Sequence, residues 1–290
     1  MLHLILESLK DVVAHAQPQP RRPHNGWQSC HSGDEGNATD WIRMKSGISF
    51  DAQTGCTPGN VGKFLMGNRR LNDLRVTRVL EIEEEMRFIE LIIPSVIAHA
   101  DGRKEVVMLE LGANWAYYSM LFAATITSSS QLAVHSVMLE PSSFSIACAK
   151  RNWAANGLCP PSASAIRAQW LKALICAPSS DYHDISIQST ADDCTTVFRI
   201  QEDLSLKHID VFFADIQGAE LQALRTANLS TISHVWLGTH SPQVHNDSRS
   251  LLQRAGFFIE YEKINIIAGK WAGDGYIHAY KMPDRYLIPK

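Results

Sequence analysis

No run of about 18 apolar residues occurs in the sequence, so it offers no candidate for a membrane-spanning helix. An excess of positive charge is also missing. Lys and Arg number 27 against 30 Asp and Glu, a formal net charge of −3. That balance gives no basic footprint for nucleic acid and no polybasic address for a membrane, so neither is expected as a partner. Cys-x-x-Cys pairs are absent. The six cysteines, Cys30, Cys56, Cys148, Cys159, Cys176 and Cys194, are scattered and read as reduced thiols of a cytoplasmic protein. Cys30, His31 and Cys56 come nearest to a zinc set, but no spacing here is a metal signature, and no metal is expected. Met1 to Ala16 reads as a short amphipathic helix, without the basic start and clean apolar stretch of a signal peptide. There is no internal repeat.

What the chain has is ordinary globular composition. It has 290 residues, 45% hydrophobic and 20% charged, enough to bury about three quarters of its unfolded surface. Residues 17–62 are dense in proline and glycine and read as an irregular arm, partly ordered by Trp27, Trp41 and Phe50. Residues 1–62 are therefore assigned to an N-terminal helix and arm, and 63–290 to the main domain. Val79, Ile82, Met86, Ile89, Ile93 and Ile97 recur at helical steps, with a glutamate run between them expected on the solvated face. Pro94 should kink that helix or start a new one.

Strands and helices then alternate. Strands are expected at 105–111, 131–140, within 165–174, at 209–215 and at 232–238. Helices are expected at 115–127, 142–156, 219–227 and 248–255. Residues 257–267 and 275–280 read as a closing antiparallel pair. This alternation predicts an α/β fold, a Rossmann-like doubly wound seven-stranded sheet. The sheet should be mostly parallel with a C-terminal antiparallel strand and helices on both faces. Its ligand crevice should lie beyond the C-terminal ends of the strands.

The chemistry-bearing residues cluster at those ends. Gly112 follows the first strand, where the chain must turn sharply and a ligand can approach the backbone. Asn114 tolerates a left-handed conformation there. Glu140 ends the next strand, where a carboxylate can accept hydrogen bonds from both hydroxyls of a ribose. Asp215 ends IDVFFAD and is followed by Gly218 and Glu220. His240 ends the next strand, with His245 five residues on. A histidine beside a carboxylate suits a base, a metal ligand or a substrate donor.

These segments resemble the FkbM-type S-adenosylmethionine-dependent methyltransferases. The likeness lies in ELGANWAYYS (110–119), in MLEPSSFSIACAKRNWAANG (138–157) and most specifically in FFADIQGAELQAL (212–224). It covers roughly residues 75–280 and leaves out the arm. The resemblance implies that 63–290 is a methyltransferase domain with S-adenosylmethionine as cofactor. Glu110, Gly112, Ala113, Asn114, Ser119, Glu140 and Asp215 would bind the cofactor, and Asp215 and His240 would be catalytic. It further implies O-methylation of a hydroxyl on a sugar or small natural product, a small-molecule or glycan acceptor. A base such as Asp215 or His240 would take the hydroxyl proton as the bond forms. One departure stands out: the family usually has a second glycine where this chain has Ala116, here preceded by Trp115. Two other readings remain open at this point. One is a non-catalytic adenosine-cofactor-binding interaction module, which Ala116 favours. The other is a nicotinamide-dependent oxidoreductase, which the missing Gly-x-Gly-x-x-Gly spacing disfavours.

Overall fold

The computed structural model describes residues 41–51, 82–100, 102–159, 165–176, 194–264, 266–267, 270–271 and 274–281. The expected helix at 1–16, Trp27 and the 62/63 boundary lie outside these residues.

Continuous apolar runs form the buried strands. EVVMLEL gives β3 (Glu105–Leu111) and IDVFFA gives β8 (Ile209–Ala214), each buried along almost its whole length. They belong to a seven-stranded sheet with β4 (Ala133–Leu139), β5 (Ile166–Leu171), β9 (Ile232–Thr239), β10 (Phe258–Lys263) and β13 (Gly275–Tyr280). The order across the sheet is β10-β13-β9-β8-β3-β4-β5. β8 runs parallel to both β3 and β9. β13 lies antiparallel between β9 and β10. The expected mostly parallel sheet with a C-terminal antiparallel strand is therefore present. From β3 the chain winds outward through β4 to β5, then returns to place β8 on the other side of β3. That reversal makes β3/β8 the topological switch point, where open α/β sheets bind ligands.

Short pieces complete the strand set. β1 (Trp41–Arg43) and β2 (Ser49–Asp51) form a hairpin inside the supposedly irregular arm. β6 (Leu174–Ile175) pairs in parallel with β7 (Cys194–Thr195), and β11 (Ile266–Ile267) pairs with β12 (Lys270–Trp271).

The helices are α1 (Ile82–Ala98), α2 (Tyr117–Ser129), α3 (Ser143–Ala155), α4 (Val197–Asp203), α5 (Glu220–Thr226) and α6 (Pro242–Arg254). α1 contains a π turn over Phe88–Ile92, where the Ile93 N–H donates to the Phe88 carbonyl. Pro94 explains it: proline lacks an N–H to continue the ladder, and the preceding turn widens. The glutamate run on α1 is not a wholly solvated face. Glu84 and Glu85 are buried, and the Tyr118 hydroxyl donates to Glu84. α6 starts six residues before the expected 248, because Ser241 caps it by accepting from the Val244 N–H and Pro242 occupies its first turn.

The chain divides into two compact units. The first holds the described residues before Val107 together with 113–136 and 142–169. Its core includes Phe88, Ile92, Tyr117, Phe122 and Trp153. Phe50 of the hairpin packs against the rings of Trp115 and Tyr117. The second unit holds 107–112, 137–141 and the chain from Trp170 onward. Leu109, Leu111, Phe212, Val235, Leu237, Leu252 and Ile277 are among its fully buried residues.

The expectation of reduced thiols fails. Cys176 and Cys194 form a disulfide across a sequence separation of 18, and Cys148 and Cys159 are disulfide-bonded too. Among the described residues no cysteine is free. Spacing hid this because the β6–β7 pairing, not proximity in sequence, brings Cys176 and Cys194 together. A loop of that length adds about 3 kcal/mol by restricting the unfolded chain. Among the described residues no helix is long and apolar enough to cross a membrane.

Candidate functional site

β8 and β9 each end at a residue expected to be catalytic, and their parallel pairing aligns Ala214 with Leu237. Asp215 follows β8 and His240 follows β9. The two side chains meet: His240 Nε2 lies 3.1 Å from Asp215 Oδ1. Nδ1 of the same ring lies 2.8 Å from Glu220 Oε1, and Asp274 Oδ1 is 3.4 Å from Nε2. The Gln217 amide stands 3.0 Å from Nε2. One imidazole is thus bracketed by three carboxylates.

Each member sits differently. Glu220 is fully buried, His240 is 14% exposed, and Asp215 and Asp274 are about half exposed at 49% and 51%. Burial alone would lower the His240 pKa. Hydrogen bonds to Asp215 and Glu220, and their charges, outweigh it and push the value up to about 10. At neutral pH the ring is therefore an imidazolium that donates from both nitrogens. It holds Oδ1 of Asp215, while Oδ2 has no partner among the described residues. A half-exposed carboxylate with one free oxygen can accept a proton; the charged histidine cannot.

Glu220 builds the turn that presents Asp215. The Ile216 N–H donates to its Oε1 at 3.1 Å, and the Gly218 N–H donates to both oxygens at 3.1 and 3.0 Å. Converging backbone N–H groups of this kind form an anion-binding nest. The wrapping requires left-handed backbone at Gln217 (φ 56°) and Gly218 (φ 109°). Asp215 does not cap the helix that follows: Glu220 is the residue that bonds those N–H groups. In the sequence Glu220 stands out only as a carboxylate following Asp215 and Gly218, and neither Gln217 nor Asp274 stands out at all. The Asp-x-x-Gly-x-Glu spacing was the available signal for Glu220; nothing local marks Asp274, which the β13 connection delivers.

Gly112 makes the expected sharp turn and also serves a second purpose. Its φ is +75°, and a Cβ there would stand 2.1 Å from the Asp215 carbonyl oxygen. The Gly112 N–H donates to the Leu139 carbonyl, and the Asp215 N–H donates to that of Leu111. Gly112 therefore lets the ends of β3 and β8 close on each other. Gly238 serves the same residue: a Cβ there would meet Asp215 Oδ1 at 3.1 Å.

Among the residues expected at the cofactor, Glu140 lies at the C-terminal end of β4 and is 9% exposed. Its N–H donates to the Leu171 carbonyl of β5. Glu110, Ala113 and Ser119 are buried, at 2%, 2% and 0% exposure. Asn114 adopts the expected left-handed backbone (φ 49°), and so does Ala116 (φ 59°) immediately before α2. The position where relatives of the resembled family carry glycine thus demands a left-handed residue. Trp115 is engaged with the Phe50 ring. His245 is fully buried on α6. Its Nδ1 lies 2.9 Å from the Thr239 hydroxyl, and burial lowers its pKa. It anchors α6 to β9.

Asp215, Glu220 and His240 also offer ligand atoms within 4.8 Å of one another, a set that the sequence spacing did not announce. Both Glu220 oxygens already accept backbone N–H bonds, and the ring already pairs with carboxylates on both sides. The cluster is internally satisfied as an ion-paired chain.

Neither a protein-family model nor a curated protein matches the sequence. Among solved structures, a human methyltransferase 10 domain-containing protein is similar at 11% identity and a TM-score of 0.43. The match covers 77% of this chain and 96% of that one. A ribosomal protein L11 methylase from Lactobacillus delbrueckii subsp. bulgaricus gives 13% and 0.40, covering 68% and 79%. An O-methyltransferase from Bacillus cereus in complex with SAH gives 15% and 0.38, covering 66% and 80%. At these values the likenesses carry nothing about the chemistry of this chain, which rests on its own sheet order and side chains.

Proposed function

We propose that this chain is an S-adenosylmethionine-dependent methyltransferase of the FkbM type, acting on a hydroxyl of a sugar or small natural product. The observation that carries this reading is the ion-paired chain Glu220–His240–Asp215 at the ends of β8 and β9, beside the switch point at β3/β8. A poised carboxylate there suits removal of a proton from an acceptor.

The residues present suit an adenosine cofactor. Glu140 ends the strand next to β3, and a carboxylate there can accept from both ribose hydroxyls. The turn after β3 brings two residues of positive φ, Gly112 and Asn114, ahead of a helix N-terminus. When bound, S-adenosylmethionine supplies an electrophilic methyl group on a sulfonium. Gly112 and Glu140 would hold the cofactor. Asp215 Oδ2 takes the acceptor's proton. His240 stays charged and fixes Oδ1, and Glu220 fixes the ring. Orienting the acceptor is a large share of the work in such transfers. General-base help adds about 10²–10⁴.

The rival reading is a non-catalytic cofactor-binding module, with Ala116 as its support; Ala116 does adopt a left-handed backbone (φ 59°). Transfer of a labelled methyl group from S-adenosylmethionine to a panel of sugars, phenols and polyketide-like alcohols tests the proposal. Labelled product is expected with at least one hydroxyl acceptor. Binding heat with S-adenosylmethionine but no transfer across the panel favours the module.

A further inference from the structure

Two observations away from the strand ends point to the same compartment. The first is the cysteines. Cys176 and Cys194 are paired, Cys148 and Cys159 are disulfide-bonded, and no described cysteine is free. Pairing of every described cysteine persists where the surroundings are oxidising and is rare where glutathione keeps thiols reduced.

The second is a surface asparagine. The sequence contains three Asn-x-Ser/Thr triplets, beginning at Asn37, Asn228 and Asn246, the acceptor pattern for N-linked glycans. Asn37 lies outside the described residues. Asn246 is on α6, and its partner Ser248 is fully buried. Asn228 is different: both it and Ser230 are exposed, in the connection between α5 and β9. Its Oδ1 accepts from the Ser230 N–H at 3.3 Å and from the Ser230 hydroxyl at 2.6 Å. Its own N–H donates to Gln201 Oε1 at 2.8 Å. The amide nitrogen Nδ2 has no partner among the described residues. The side chain is thus held by its oxygen with its nucleophilic nitrogen free.

Asn228 also stands at the harmless end of the sheet. β9 runs for eight residues from there to His240, which at about 3.3 Å per residue separates the two ends by roughly 26 Å. A bulky group at Asn228 leaves the carboxylate–imidazolium chain uncovered.

We propose that this chain matures in an oxidising secretory lumen and carries an N-linked glycan on Asn228. The glycan donor is a lipid diphosphate-linked oligosaccharide. The bond from sugar C1 to the diphosphate oxygen breaks, the bond from C1 to Nδ2 forms, and one amide proton leaves. Each disulfide forms as two thiols pass two electrons and two protons to a protein disulfide oxidant. This replaces the cytoplasmic expectation and does not depend on the reaction at the strand ends.

The test is to express the full chain in cultured eukaryotic cells, once directed into the endoplasmic reticulum and once retained in the cytosol. Both products are mapped by mass spectrometry without reduction. In the lumenal product, the Asn228 peptide is expected to carry a glycan and to become aspartate-bearing on treatment with peptide-N-glycosidase. Asn228→Gln and Ser230→Ala each abolish that modification. Cys176 and Cys194 are expected in one linked peptide pair. The cytosolic product is expected to carry free thiols and to melt at a lower temperature. A folded lumenal product with Asn228 unmodified overturns the proposal. So does a cytosolic product whose Cys176 and Cys194 are already bonded, or one that melts with free thiols at the lumenal temperature.

Discussion

Replacing Glu220 tests how the site is held together. Its carboxylate is fully buried and accepts from the Ile216 N–H, the Gly218 N–H and His240 Nδ1. Glu220→Ala strands two backbone donors and one side of a charged ring. An unsatisfied buried donor costs roughly 1–3 kcal/mol, and breaking a buried ion pair on one side costs roughly 3–5 kcal/mol. These losses overlap, so the expected destabilisation is about 4 kcal/mol rather than their sum. Glu220→Gln keeps the shape and an acceptor oxygen but removes the charge, and about 2 kcal/mol is expected. Urea unfolding, followed by fluorescence and extrapolated linearly, gives both values. The same Gln variant should let the His240 pKa fall from about 10 toward its ordinary value, which nuclear magnetic resonance titration of the ring reads directly. A Glu220→Ala protein within about 0.5 kcal/mol of wild type would refute the reasoning, as would an unmoved His240 titration in Glu220→Gln.

Asp215→Asn should lower turnover by about 10²–10⁴ and also lower the melting temperature, because it removes a charge that holds the His240 ring; a fully active variant removes Asp215 from the base role. The pH dependence follows from His240. Its folded value of about 10 lies above its ordinary 6.5, so its stabilisation is complete below pH 6.5 and fades as pH rises toward 10. The limiting slope is about 1.4 kcal/mol per pH unit. The stability gap between wild type and His240→Gln should narrow over that window, and a gap that widens contradicts the ion-paired chain. Ala116→Gly should stabilise the protein by about 1 kcal/mol, because φ at 116 is 59° and an Ala side chain is strained there; a lower melting temperature would show that the methyl group packs favourably.

The sheet was legible because its strands are continuous apolar runs. EVVMLEL and IDVFFA can be little else at that length, and glycines 112, 157 and 256 mark turns beside their helices and strands. The start of α6 is not legible from periodicity because its first turns, Pro242–Asp247, are mostly polar; Ser241-Pro242 is the local signal. Asp215 and His240 were legible as strand-end residues, but their chemistry was not. Which of them holds the proton depends on Glu220, whose reach back to the Ile216 and Gly218 N–H groups is a matter of backbone shape. Gly112 was legible as a sharp turn, but the close approach of the Asp215 carbonyl was not, since only the pairing of β3 with β8 brings it there. The disulfides were invisible because they join residues that only the fold brings together.

The central claim is that an adenosine cofactor sits beside the switch point with its ribose on Glu140. Calorimetric titration of S-adenosylhomocysteine into wild type and Glu140→Ala tests it most directly. Saturable one-to-one binding to wild type is expected, weakened in the variant by about 1.5–3 kcal/mol, roughly tenfold to a hundredfold. Folded wild-type protein that releases no heat, or a Glu140→Ala variant that binds as tightly as wild type, would contradict the account.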